Sequence, residues 1–187
     1  MERPGIELEA FRPGDFEQLI SWVSSPRFAL QWSGGRFSYP LDVEQLTSHL
    51  AGAGGEHPTL LVFKAVDAQD SAMVGYCELS RIEWAHLSGV VSHVLVDPNR
   101  VRGGVGSEML RHLTDFGFGE LGLHRMELFA AKWNTAAIRC YERAGFVHEG
   151  VHRDERRFGS EYWCIVHMSM LENEWRQQRQ STGGVDS

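Results

Sequence analysis

The sequence predicts an α/β (α+β) fold: one domain with a mixed central sheet, flanking helices and a strand–glycine loop–helix unit suited to hold a ligand. Three observations carry this. Apolar runs of strand length are interspersed with runs of helical period. A β-branched run at residues 90–96 enters a glycine loop, then a helix, then another strand, the order of a right-handed parallel crossover. Finally, 187 residues at 42% hydrophobic and 23% charged suffice for one core without disulfides or metals.

Element by element, a short strand is expected at residues 6–11. Phe16, Leu19, Ile20 and Val23 then recur at helical spacing after Gly14-Asp15, and Pro26 is expected to close that helix. A second helix is read at 41–50, with Val43, Leu46 and Leu50 on one side and glycines beyond it. Residues 59–66 and 72–82 read as strands joined by the turn-like 67–71. Residues 90–96 form a strand ended by Asp97-Pro98-Asn99, and a long helix follows to about Leu121, with Met109, Leu110, Leu113 and Phe116 on its apolar face. A strand at 125–130 precedes a helix at 134–144, where Gly145 takes the position just past the C-cap. Strands at 146–152 and 162–170 complete the domain, set at 6–171. The charge run 153–157 reads as a solvated hairpin or loop. Residues 172–187 are polar and read as a flexible tail.

The net charge of −7 disfavours nucleic acid and anionic membranes and suits a cationic substrate. Cys77, Cys140 and Cys164 are widely spaced, so neither a disulfide framework nor a CxxC motif is present. The start Met1-Glu2-Arg3-Pro4 lacks signal-peptide features, and no apolar run reaches the roughly 20 residues needed to span a bilayer. A cytoplasmic protein is expected.

The loop Arg102-Gly103-Gly104-Val105-Gly106-Ser107 is the most informative segment. Glycines let an anion reach the backbone, and the free amides of a helix start point toward it. A Walker A loop would need Gly-Lys-Ser/Thr, and a Rossmann fingerprint a third glycine where Met109 stands. ATP and NAD are therefore poor ligands for it. His148-Glu149-Gly150-Val151-His152 spells HExxH, which binds zinc only on a helix. Its valines and glycine predict a strand, on which the histidines would sit about 13 Å apart, too far for one ion. The other histidines show no ligand spacing, and no metal is expected.

Leu95-Val96-Asp97-Pro98 with the glycine loop, Asn134 through Tyr141-Glu142-Arg143-Ala144-Gly145-Phe146, and Glu149-Gly150…Arg153 with Tyr162 downstream occur in an order and spacing that resemble the GCN5-related N-acetyltransferases. Within that family they look like the branch of the ribosomal-protein acetyltransferases RimJ and RimL. The resemblance implies acetyl-CoA as co-substrate and no metal. It implies a cofactor site of Val94, Leu95, Val96, Arg102, Gly103, Gly104, Val105, Gly106, Ser107 and Asn134, with Tyr141 as general acid. It departs from the family at Val101, where Gln or Arg is usual, and at Val90, where related sequences often carry glutamate. The general base is therefore open among Glu78, Glu83, Ser92, His93 and water. The expected partner is an amine, small molecule or protein N-terminus, attacking directly in a ternary complex. A homodimer is left open. A non-catalytic acyl-CoA-binding or regulatory module is the alternative.

Overall fold

The computed structural model describes residues 5–100 and 103–183. Seven strands form one sheet: β1 (Ile6–Ala10), β2 (Leu60–Asp67), β3 (Met73–Glu83), β4 (Ser88–Val96), β5 (Arg125–Ala131), β6 (Val147–Phe158) and β7 (Glu161–Leu171). Their spatial order is β1-β2-β3-β4-β5-β7-β6. Neighbours are antiparallel except β4 and β5, which run parallel. The helices are α1 (Phe16–Trp22), α2 (Pro26–Ser33), α3 (Val43–Leu50), α4 (Val105–Thr114), α5 (Thr135–Ala144) and α6 (Glu172–Gly183).

The sheet is packed through two apolar clusters. One gathers Val105, Met109, Leu110 and Leu113 of α4 against Val74, Leu79, Val91, Met126, Leu128 and Met168 of the strands. The i, i+4 spacing of Val105, Met109 and Leu113 puts them on one helix face, and full burial of such side chains stabilises by roughly 1.5–3 kcal/mol each. Strand and helix approach closely: a Cβ on Gly75 would run into Met109 Sδ, so glycine is required there. The second cluster gathers Phe16, Leu19 and Trp22 of α1, Ala29 and Trp32 of α2 and Leu46 of α3 over Leu60, Val62, Tyr76 and Leu95. The parallel pair expected of the strand–helix–strand unit is β4–β5.

Four segments differ from the sequence reading. Pro26 opens a helix rather than only closing one: Ser25 caps α2 by accepting the Phe28 amide at 3.2 Å, and proline at the first helical position sacrifices no bond. The long helix leaves α geometry after Thr114, and Asp115–Glu120 forms a wider π turn that tucks Phe118 into the core. Residues 153–157 lie inside β6, because Arg156 and Arg157 pair with Trp163 and Tyr162 of β7. Residues 172–183 of the polar tail form α6, and 184–187 lie outside the described residues. Trp175 stacks 5.6 Å from Phe118 and donates its indole N–H to Asp115 at 2.8 Å, giving the polar segment one apolar anchor.

Candidate active site

β4 and β5 pair only as far as Val91 and Leu128. Beyond that point β5 stays with β7, from Phe129 to Ala131, while β4 stays with β3, Leu95 opposite Tyr76 and Val96 opposite Gly75. The two parallel strands therefore part, and a V-shaped gap opens. The local cause is a bulge. Between the pairs Glu78–Ser92 and Tyr76–Leu95, β3 advances two residues and β4 three, with His93 at φ 50°. A bulge of this kind bends its strand and re-aims side chains. Asp97 donates its amide to Val74 O at 2.9 Å. By the alternation of an antiparallel ladder, Leu95 also faces β3. Val94 and Val96 then turn their amides toward the gap, and Leu95 buries its side chain in the second cluster.

The glycine loop stands at the end of β4. Gly103 and Gly104 have φ of 103° and 86°, left-handed conformations that other residues adopt only with strain. Gly104 is the N-cap of α4 and supplies no side chain to it, so the first amides of the helix are left for another acceptor. Arg100 tethers the approach by ion pairs to Asp67 and Asp70 at 2.8 and 2.7 Å. Arg102 lies outside the described residues. Ser107 Oγ and Cys140 Sγ meet at 3.4 Å, joining α4 to α5.

On α5, Asn134 is the N-cap, its Oδ1 accepting the Ala137 amide at 3.3 Å. Tyr141 packs against the first cluster, 6.4 Å from the Phe146 ring. Among the described residues nothing hydrogen-bonds its hydroxyl. Burial and the neighbouring Cys140 push its pKa above the usual tyrosine value, so the phenol keeps its proton.

A cavity of about 710 Å³ is bounded by Val90 to His93 of β4 and Phe129 to Ala131 of β5, where the strands part. Glu78, Ser92 and His93, three of the candidates for the base, all line it. Glu83 does not; it borders a smaller recess beside Ser88 and Arg125. Glu78 is fully buried. Its Oε1 accepts from the Tyr76 hydroxyl and from His49 Nε2, the latter at 2.9 Å. Its Oε2 lies 2.8 Å from His93 Nδ1 and accepts from Ser92 at 3.4 Å. Burial alone would raise its pKa, but the hydrogen bonds and charges of His49 and His93 outweigh this and hold the carboxyl at about 2.

The proton positions follow from the partners. Arg36 Nε donates to His49 Nδ1 at 3.0 Å, so His49 carries its proton on Nε2. His93 Nε2 lies 3.1 Å from Ser33 O and its Nδ1 2.8 Å from the Glu78 carboxylate, so both ring nitrogens face oxygen acceptors. His49, Glu78 and His93 bring potential metal ligands within 4.8 Å of one another, a cluster that sequence spacing did not show. The bond from Arg36 speaks for protons, because it fixes a hydrogen on the His49 nitrogen an ion would need. His148 and His152 lie on β6, as the strand reading required, and face Glu142 and Glu155 at 2.9 and 2.6 Å.

His49, Tyr76, Arg36, Arg81 and Arg156 were not singled out from the sequence. They come from α3, β3, β6 and the segment between α2 and α3, and only the alternation of Tyr76 and Glu78 in one strand hinted at a buried polar pair.

Comparison with known proteins agrees with this architecture. Residues 6–147 match the acetyltransferase (GNAT) domain family. A spermidine N(1)-acetyltransferase of Vibrio cholerae serotype O1 is 28% identical over 113 residues, 60% of this chain and 64% of that protein, so under two thirds of the relative is spanned. A putative ribosomal N-acetyltransferase of Bacillus subtilis, YdaF, is 24% identical over 59% of this chain and 60% of its own length. Among solved structures, the Vibrio cholerae spermidine N-acetyltransferase in complex with CoA and spermine superposes with a TM-score of 0.78 at 23% identity, covering 91% of this chain and 98% of that one. Sheet order, splayed strands and family match converge, and the chain belongs to the GNAT acetyltransferase domain family.

Proposed function

We propose that this protein transfers an acetyl group from acetyl-CoA to a primary amine, by direct attack in a ternary complex. The observation that carries this reading is the gap between β4 and β5: uncapped amides of α4 stand beside its mouth, and a cavity of about 710 Å³ opens where the strands part. The amides of Val105, Gly106 and Ser107 would donate to the pyrophosphate of coenzyme A, with Gly103 and Gly104 leaving it room. The backbone of Val94 and Val96 would hold the pantetheine arm, and Asn134 would add a contact beyond its cap. The amine comes from the cavity side. Its nitrogen bonds to the thioester carbon, the Val94 amide stabilises the oxyanion, and the C–S bond breaks. Tyr141 gives its proton to the thiolate, and the proton released by the amine restores the phenol through solvent.

Glu78 has both oxygens engaged and both His93 nitrogens face oxygen acceptors, so neither offers an open site for the amine's proton. Water fills that role best, and Glu78 serves to position the His93 bulge. A small-molecule acceptor is favoured over a protein N-terminus because the named relatives include acetyltransferases of spermidine; the ribosomal-protein branch stays as the narrower option. The test is release of the coenzyme A thiol with acetyl-CoA and a panel of amines and peptides. Acetyl-CoA binding without release for any acceptor would favour the non-catalytic module.

A further inference from the structure

The cavity carries a charge that the acetyl-transfer chemistry does not use. Three of its lining side chains are guanidinium groups, Arg36, Arg81 and Arg156, and one is a carboxylate, Glu78. Glu78 is fully buried and already engaged by two histidines and a tyrosine. Among the described residues, Arg36 and Arg81 pair with no carboxylate. Arg36 holds only His49 Nδ1; Asp42 and Glu44 share a neighbouring recess with it, beyond ion-pair distance. Arg156 lies 2.6 Å from Glu155, an acid that also takes His152 at 2.6 Å.

Arg81 is the most informative of the three. Its φ is 47°, a left-handed backbone that a long side chain adopts only at a cost. It stands in the bulge where the β3–β4 register jumps between Ser80 and Glu83, and its guanidinium lies 5.3 Å over the Phe129 ring at the cavity wall. The bend leaves an exposed guanidinium at the cavity rim, between Phe129 and the recess of Glu83 and Glu127, with no ion pair to either acid.

We propose that the acceptor is a primary amine that also bears an anionic group, a carboxylate or a phosphate, seated among Arg81, Arg36 and Arg156. This rests on the acetyl-transfer reading and sharpens its substrate class. A polyamine would bring two or three further positive charges against three guanidinium groups, with no free carboxylate to receive them. An acid group gains charge-assisted hydrogen bonds from the arginine forks. Phe129, Trp163 and Trp32 give the cavity apolar walls for a ring or a short chain between amine and acid.

The experiment compares kcat/KM for four acceptors with acetyl-CoA: phenylalanine, phenylalaninamide, O-phosphoethanolamine and spermidine. Phenylalanine and its amide share a body and differ in the acid group. The amide's amine is the more often neutral, so the comparison is biased against the proposal. An acid-bearing amine is expected to exceed both the amide and spermidine by roughly tenfold or more, the scale of one charge-assisted bond. Whether phenylalanine or O-phosphoethanolamine leads tells carboxylate from phosphate. Arg81→Gln should shrink the acid-to-amide ratio about tenfold, and Arg81→Lys should shrink it less. Arg36→Gln gives the same readout if the bulge does not tolerate change at Arg81. Spermidine as best acceptor, an unchanged ratio in both Gln variants, or no turnover of either acid-bearing amine while acetyl-CoA binds would overturn the proposal. Failure of acetyl-CoA itself to bind would instead bring down the underlying reading.

Discussion

Tyr141 is half-buried, and its hydroxyl has no protein hydrogen-bond partner among the described residues, which leaves it free for a bound group. A phenol held protonated by burial can give its proton only where negative charge develops, so its effect belongs to the transition state. Tyr141→Phe should therefore lower kcat roughly 10–100-fold, the low end for general acids because a thiolate already leaves well, while acetyl-CoA affinity barely moves. Single-turnover kinetics with a cofactor titration checks both. Glu78 makes a different prediction. Its folded pKa of about 2 lies below the ordinary 4.5, so it stabilises the fold at neutral pH, and that stabilisation is lost as pH falls from about 4.5 toward about 2. Glu78→Gln should cost about 1–3 kcal/mol at pH 7, since it removes the buried acceptor shared by Tyr76, His49 and Ser92, and should flatten the acid limb of a denaturation profile measured across that window. Tyr141 and Asn134 were legible in the sequence because one helix carries both. His49, Glu78 and His93 were not legible as a cluster, since three elements must fold before they meet.

At the scale of elements, the order of strands and helices along the chain and the parallel crossover followed from β-branched runs and glycine punctuation, which report local backbone preference directly; the place of β6 at the sheet edge, beyond β7, did not. The misreadings share a cause. Pro26 carries a breaker signal that is equally a first-turn signal, and Ser25 decides between them. The residues of α6 are almost all polar, and the π turn that docks Trp175 is invisible from that segment alone. The glycine loop tests whether local geometry becomes binding. Gly106 is the cleaner site: its backbone is not left-handed, and an added Cβ would meet Cys140 Sγ and Val96 Cγ2 at 3.5 Å, ordinary contact. Gly106→Asp is expected to weaken acetyl-CoA binding roughly tenfold to a hundredfold through like-charge repulsion, with Gly106→Ala well short of that. Melting temperatures without ligand should stay close for the pair. Equal affinity in both variants would place the phosphates elsewhere.

At the scale of the whole molecule, a net charge of −7 suited a cationic substrate, yet the cavity between β4 and β5 is lined by three arginines and one engaged carboxylate. Net charge is a sum over a surface, and a site sees only the groups within about a Debye length, roughly 8–10 Å. The same reasoning applies to coenzyme A, an anion approaching an acidic protein: its affinity must come from the uncapped start of α4, a short-range field. Acetyl-CoA at about 100 times its dissociation constant should add about 2.7 kcal/mol of stability, which for a domain of this size raises the melting temperature by roughly 5–10 °C. ATP and NAD carry phosphates too, but without the pantetheine arm they forgo the Val94–Val96 backbone, and each should shift the transition far less at the same concentration. A thermal-shift comparison of the three decides it. If ATP matched acetyl-CoA, the helix start would be a general anion site and the strand gap would contribute nothing. If none of the three moved the transition of folded protein, the cofactor assignment itself would fall.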